Sequence, residues 1–243
     1  EQITFAEKQK EAIHAVAQDS IVVLTGGPGT GKTTTINGMI QYFEHEGLDI
    51  RLAAPTGRAA KRMTEATGYE AMTIHRMLEI NGEADRERDM KKGNASMFER
   101  NAGNPLETDV IIIDEMSMVD LYLMNALLQA MVPGTRLVIV GDANQLPSIG
   151  AGNVLKDMIA SGQFKVVELN QIFRQEEASH IVRNAHLIHQ GRPVELDNKS
   201  RDFFFLQRNN IQDVLGVLVY LVRDKLPGYV HVKPYDIQIL TPM

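Results

Sequence analysis

The stretch "IVVLTGGPGTGKTTT", Ile21 to Thr35, restricts the fold of this chain more than any other. A β-prone apolar run feeds Gly26-x-x-x-x-Gly31-Lys32-Thr33, and a helix-forming segment follows. In that context the pattern is a phosphate-binding loop between a strand and a helix. Glycine is needed there because the backbone must wrap an anion closely, in conformations closed to larger side chains. Exposed amides and the positive end of the helix then hold the charge. The nucleotide-binding candidates are Gly27, Gly29, Thr30, Gly31, Lys32, Thr33 and Thr34. Lys32 is expected to reach the β- and γ-phosphates, and Thr33 to hold Mg²⁺ through its hydroxyl.

The remaining pattern agrees with such a loop. Short β-branched runs at 21–25, 50–54, 110–114, 136–140 and 165–169 alternate with amphipathic stretches. This is the signature of an α/β fold, with a parallel sheet flanked by helices. Helices are expected over 4–18, over 33–46 and through Leu121, Met124, Leu127, Leu128 and Met131, the last ending at Pro133-Gly134. The twelve methionines read as core filler. Residues 81–105 are polar and rich in Gly and Asn, an exposed excursion from the first domain, which is expected to span 1–190. From 191 the pattern resets. "FFFLQ" and "DIQILTP" read as strands around a helix at 214–225, the start of a second α/β domain over 191–243.

Composition excludes several classes. No apolar run is long enough to span a bilayer, so no membrane partner is expected. Zero cysteines exclude disulfides and thiolate metal sites, and fit a cytoplasmic location. His14, His45, His180, His186, His189 and His231 have no metal-ligand grouping, so no zinc is expected. The net charge of −6 argues against an overall basic coat but leaves room for a local basic groove. The chain begins at Glu1 and stops shortly after the second domain starts. It reads as an excised piece, expected to bind nucleotide, hydrolyse it slowly and unwind nothing alone.

A phosphate loop needs an acidic partner, and "VIIIDEMSM" supplies Asp114-Glu115 at the end of a buried strand. Ligands collect at that end of an open α/β sheet. Asp114 can hold Mg²⁺ through a water, and Glu115 can orient and deprotonate an attacking water. The pair favours NTP hydrolysis over phosphoryl transfer to a small molecule. In "RLVIVGDANQLPSIGAG" another strand ends at Gly141-Asp142, and Gln145 is either a polar loop residue or a sensor of the γ-phosphate. At this stage three readings stand: a nucleic-acid motor, a kinase or NTPase acting on a small molecule, and a non-catalytic module switched by ATP.

Lys32, Asp114-Glu115, Gly141-Asp142-x-x-Gln145 and "LNQIFRQ" occur in the order of the superfamily 1 helicase motifs I to IV. "LTGGPGTGKTTT", "APTGRAA", "TIHRML", "DEMSMVD" and "GDANQLPSIGAGNVL" resemble the RecD-like branch, which includes the helicase subunit of exonuclease V and stand-alone relatives. The resemblance covers most of residues 1–190. It implies a RecA-like P-loop NTPase domain, with ATP and Mg²⁺ as cofactors and 5′→3′ movement on single-stranded DNA in repair and recombination. It leaves open whether the protein works alone or with partner subunits of a helicase–nuclease complex. Residue by residue, Gln9 resembles the adenine-reading glutamine, and Gln145 and Arg174 resemble the γ-phosphate sensor and the motif IV arginine. Pro55, Thr56, Gly57 and Arg58 ("APTGRAA"), Thr73 and His75 ("TIHRML"), and Pro147 and Ser148 resemble DNA contacts. Lys61 and Arg62 add positive charge beside the first group.

Overall fold

The computed structural model describes residues 4–80, 97–170 and 179–241. The chain divides into two compact units, Glu1–Pro193 and Val194–Met243.

In the first unit α1 (Glu7–Gln18) precedes β1 (Ile21–Gly26), and α2 (Lys32–His45) leads to β2 (Ile50–Ala54). Then come α3 (Gly57–Thr67), β3 (Ala71–Thr73) and the single turn α4 (Ile74–Met77). β4 (Val110–Ile113) is followed by a 3₁₀ turn, Met116–Met118, and α5 (Leu121–Ala130). β5 (Arg136–Gly141), α6 (Val154–Ser161), β6 (Lys165–Leu169) and α7 (His180–His189) complete the unit. The strands form one sheet in the order β3-β2-β4-β5-β1-β6, and every pairing is parallel.

Both faces of this sheet are covered, which explains why its strands read as continuous apolar runs rather than alternating ones. Successive residues point to opposite faces. Val22, Leu24, Val110, Ile112, Val138 and Val140 join one core with Ala12, Val16, Ile36, Met39 and Phe43 from α1 and α2. Val23, Ile111, Ile113, Leu137 and Ile139 join the other, with Leu123 and Leu127 of α5 and Leu155 of α6. Met39, Met63, Met77, Met116 and Met124 are buried as gap-filling core side chains, whereas Met97 and Met118 are exposed. Because all strands run the same way, the segments after β1, β2, β3, β4 and β5 emerge along one edge of the sheet. That edge is where the candidate functional residues gather.

The second unit contains α8 (Ile211–Tyr220), a π-helical turn at Leu221–Lys225 and α9 (Leu226–Val230). Two expected strands are absent from it: neither 203–207 nor the described part of 236–242 is a strand. A β-prone run becomes a strand only when a neighbour pairs with its backbone, and here side chains take that role. Phe205 N–H donates to Asn198 Oδ1 at 2.7 Å, and Phe203 N–H donates to Ser200 Oγ at 2.9 Å.

Candidate nucleotide site and nucleic-acid groove

The phosphate loop is shaped by the sheet beneath it. A side chain at Gly26 would bring its Cβ within 2.8 Å of the Leu169 carbonyl on β6, so only glycine lets the neighbouring strand pass. Gly29 and Gly31 have φ of 71° and 80°, the left-handed region that glycine enters without penalty. Gly31 is also the N-cap of α2. Thr30 Oγ1 donates to the Gly27 carbonyl at 2.9 Å, and Lys32 Nζ donates to the carbonyls of Gly26 and Gly27 at 2.7 and 2.8 Å. The ammonium therefore lies over the concave side of the loop. Thr33 is exposed at the start of α2, and Thr34 is half-buried behind it.

Gln9 is buried, at 2% exposure, and its amide is tied down at both ends. Its Oε1 accepts from the Ala6 N–H at 2.9 Å, closing the N-terminus of α1, and its Nε2 donates to the Gly31 carbonyl at 3.3 Å. Gln9 thus joins α1 directly to the loop.

Asp114 and Glu115 follow the last residue of β4. Asp114 Oδ1 accepts from the Glu115 N–H at 2.8 Å, and Glu115 is held in a left-handed conformation at φ 55°. For a non-glycine residue that conformation is strained. Burial pushes the Asp114 carboxyl above its ordinary range, against the Glu115 N–H and Lys32 ammonium, which lower it. Glu115 is raised by burial and by the Asp114 charge, while Lys32 and Arg62 pull it down. Two carboxyls and the loop ammonium therefore share one electrostatic site. Arg62, expected beside the DNA contacts, acts on Glu115. Thr33 and Asp114 offer the hard oxygen donors that suit Mg²⁺, which ordinarily completes its shell with waters and phosphates.

After β5, Asp142 is buried and its Oδ1 accepts from the Asn144 N–H at 2.9 Å, folding a turn that leaves Gln145 exposed. Gln145 lines a cavity of about 420 Å³ together with Gly27 and Pro28 of the loop and His186 of α7. Lys32, the Asp114–Glu115 pair and Gln145 thus lie on three neighbouring strands of one edge. Arg174 lies outside the described residues.

The nucleic-acid candidates fall largely into a second feature, a groove of about 550 Å³. Pro55, Thr56, His75, Pro147 and Ser148 all line it, with Met118, Tyr122 and Ile149 exposed along its walls. Gly57 and Arg58 do not line it, and open α3 just behind Thr56; Thr73 does not line it either. Both threonines are helix N-caps: Thr56 Oγ1 accepts from the Ala59 N–H at 3.2 Å, and Thr73 Oγ1 from the Arg76 N–H at 3.1 Å. Their hydroxyl hydrogens remain available to donate. The His75 ring packs 5.8 Å from the ring of Phe98.

Sequence reasoning missed two features of this edge: the strain at Glu115 and the seating of His186 on the loop. Neither has a local signal, because both arise from where distant segments meet.

Comparison with known proteins gives the family of the chain. Residues 4–205 match the family model described as AAA domain. The ATP-dependent RecD2 DNA helicase of Deinococcus radiodurans is 35% identical over 240 residues, 98% of this chain and 30% of that protein. The RecBCD enzyme subunit RecD of Mycolicibacterium smegmatis is 38% identical over 196 residues, 71% of this chain and 34% of that protein. The chain therefore spans about a third of the length of these curated relatives. The crystal structure of Pif1 helicase from Candida albicans superposes with a TM-score of 0.57 at 23% identity, covering 79% of this chain and 46% of that one, a likeness of fold. Among the described residues no helix is long and apolar enough to cross a membrane. With the phosphate loop, the acidic pair and the groove all inside the matched span, the chain belongs to the AAA domain family, and its homologues there are RecD-type helicases.

Proposed function

We propose that this chain is the ATP-hydrolysing motor domain of a RecD-type DNA helicase, moving 5′→3′ along single-stranded DNA. One observation carries the reading. The phosphate loop with its acidic pair and the groove of Pro55, Thr56, His75, Pro147 and Ser148 open on the same edge of one sheet. A polymer in the groove and a nucleotide on the loop would be linked by short, stiff segments. The turn 142–148 touches both, contributing Gln145 to the loop cavity and Pro147 and Ser148 to the groove.

The site residues have distinct tasks. Gly27, Gly29, Thr30 and Gly31 hold the backbone amides around the phosphates, with Thr34 behind them, and Lys32 turns its ammonium to the β- and γ-phosphates. Gln9 stands where the loop meets α1 and would read the base by exchanging one of its bonds to Ala6 or Gly31. Thr33 and Asp114 would hold Mg²⁺, which supplies charge neutralisation on the phosphates when bound. Glu115 orients the attacking water and takes its proton. Its raised pKa makes it a better proton acceptor than an ordinary surface carboxylate. Gln145 contacts the terminal phosphate or that water, and Arg174 stabilises the charge that develops on it. Thr56 and Thr73 hydroxyls with Arg58 would bond the DNA backbone; Ser148, whose hydroxyl donates to the Gly150 and Gly152 carbonyls, would hold the loop that meets it, and His75 and Pro147 would pack against it. Three of the groove's exposed side chains, Met118, Tyr122 and Ile149, offer apolar surface for bases.

The test is ATP hydrolysis by the protein with and without single-stranded DNA. DNA should accelerate it, and Lys32→Ala should abolish both rates. A rate indifferent to DNA would refute the motor and leave a plain nucleotidase.

A further inference from the structure

His186 has no part in the proposal above, yet it sits against the phosphate loop. It comes from α7, the helix after the last strand of the first unit. The fit is close enough that a Cβ added to Gly27 would lie 2.9 Å from His186 Cε1 and 3.5 Å from its Nε2. Glycine at position 27 is therefore what lets the imidazole approach the loop backbone. The Nε2 atom is buried and has no hydrogen-bond partner among the described residues. Leaving a buried polar nitrogen unpaired is destabilising, so its persistence at a functional edge calls for a partner.

The surroundings identify that partner by chemistry. His186 lines the same cavity as Gly27, Pro28, Asn144 and Gln145. The cavity adjoins the loop that would cradle the phosphates, beside Gln145, the candidate γ-phosphate sensor. Asp142, Asn144, Gln145 and Glu168 line the same cavity. The Gly27 carbonyl accepts from Thr30 and Lys32, Asp142 Oδ1 accepts from the Asn144 N–H, and Glu168 is exposed. An anionic oxygen arriving there would meet the imidazole as an uncommitted donor.

We infer that His186 is a further nucleotide-contacting residue, whose Nε2–H hydrogen-bonds the terminal phosphate of a bound nucleoside triphosphate. It deepens the reading of this loop as an ATP site and rests on it. The contact exists only for a triphosphate, so α7 is gripped by ATP and released by ADP.

The experiment is equilibrium binding of ADP and of a non-hydrolysable ATP analogue with an imido β–γ bridge, using the full chain. His186→Ala should weaken the triphosphate analogue about tenfold, the scale of one hydrogen bond to a charged group. ADP affinity should stay unchanged, which also shows that the loop remains folded. His186→Gln, which places an amide donor near the Nε2 position, should recover part of the loss. Equal weakening for both nucleotides would make the ring a packing element, and no weakening would leave the nitrogen to a water; either result overturns the inference. Lys32→Ala separates the levels. If it binds the triphosphate as the unaltered chain does, the ATP reading itself falls, and the role of His186 with it.

Discussion

Gly38 lies in the middle of α2, buried where α1 crosses, and its replacement sets two effects of similar size against each other. Alanine is better than glycine in a helix interior by about 1 kcal/mol. Against this, a Cβ at position 38 would stand 2.5 Å from Ile13 Cδ1 and 2.9 Å from Phe5 Cζ. Carbon atoms prefer about 3.5–4 Å, so both neighbours must retreat by roughly an ångström. The Ile13 methyl can rotate, but the Phe5 ring lies on the same side and limits where it goes. Overpacking of this kind costs about 1–3 kcal/mol. Repulsion should win, leaving Gly38→Ala less stable by about 1 kcal/mol in urea denaturation.

The displacement has a second readout. α1 carries Gln9, whose amide holds the Gly31 carbonyl at 3.3 Å. Moving α1 outward stretches that bond, so Gly38→Ala should also bind nucleotide more weakly. Ile13→Ala in the Gly38→Ala background removes the nearest atom. The pair should be non-additive by about 0.5–3 kcal/mol, as expected for residues in contact. If Gly38→Ala proves more stable than the parent by the full propensity term, the close α1–α2 crossing described here is wrong.

Asp114→Asn and Glu115→Gln should each raise the Tm near neutral pH while abolishing ATP hydrolysis. Both carboxyls have folded pKa values raised chiefly by burial. The folded chain thus holds these protons more tightly than the unfolded chain, and the stability this contributes is lost as pH rises through the raised values. The gain in the amide variants should therefore fade on acidification towards the ordinary carboxylate pKa of about 4; scanning calorimetry across pH reads it, and a lower Tm at neutral pH would contradict the burial argument. Gln9→Ala removes both the closure of α1 and the link to Gly31. It should cost about 1 kcal/mol, the usual size of a lost cap, and weaken adenine nucleotides more than it alters DNA binding; unchanged stability would refute the described bonds.

Much of the edge was legible because its signals are local. Residues 110–113 are buried on both faces, so an unbroken apolar run announced the strand and located Asp114 just beyond its end. The glycines at 29 and 31 were legible for a conformational reason, and their positive φ values bear it out. β3 was not legible: Ala71–Thr73 is three half-buried residues without an apolar run, a strand only because Leu52, Ala53 and Ala54 pair with it. The reverse holds for "FFFLQ", which has strand propensity but no paired neighbour among the described residues. His186 marks a further limit. Nothing in "RNAHLIHQG" hints that the ring meets Gly27, since that contact is made by the packing of α7.

The pairing of β1 has a consequence for the order in which the protein comes into being. Its neighbours are β5 and β6, with Thr25 opposite Gly141 and Gly26 opposite Leu169. A chain emerging from the ribosome thus exposes its whole glycine loop long before either flanking strand exists. Non-local pairings of this kind close late and slow folding. The loop that is first to be read in the sequence is among the last parts of the sheet to be built, and a nascent chain that stops before β6 carries the complete motif without the Leu169 backbone against which it is shaped.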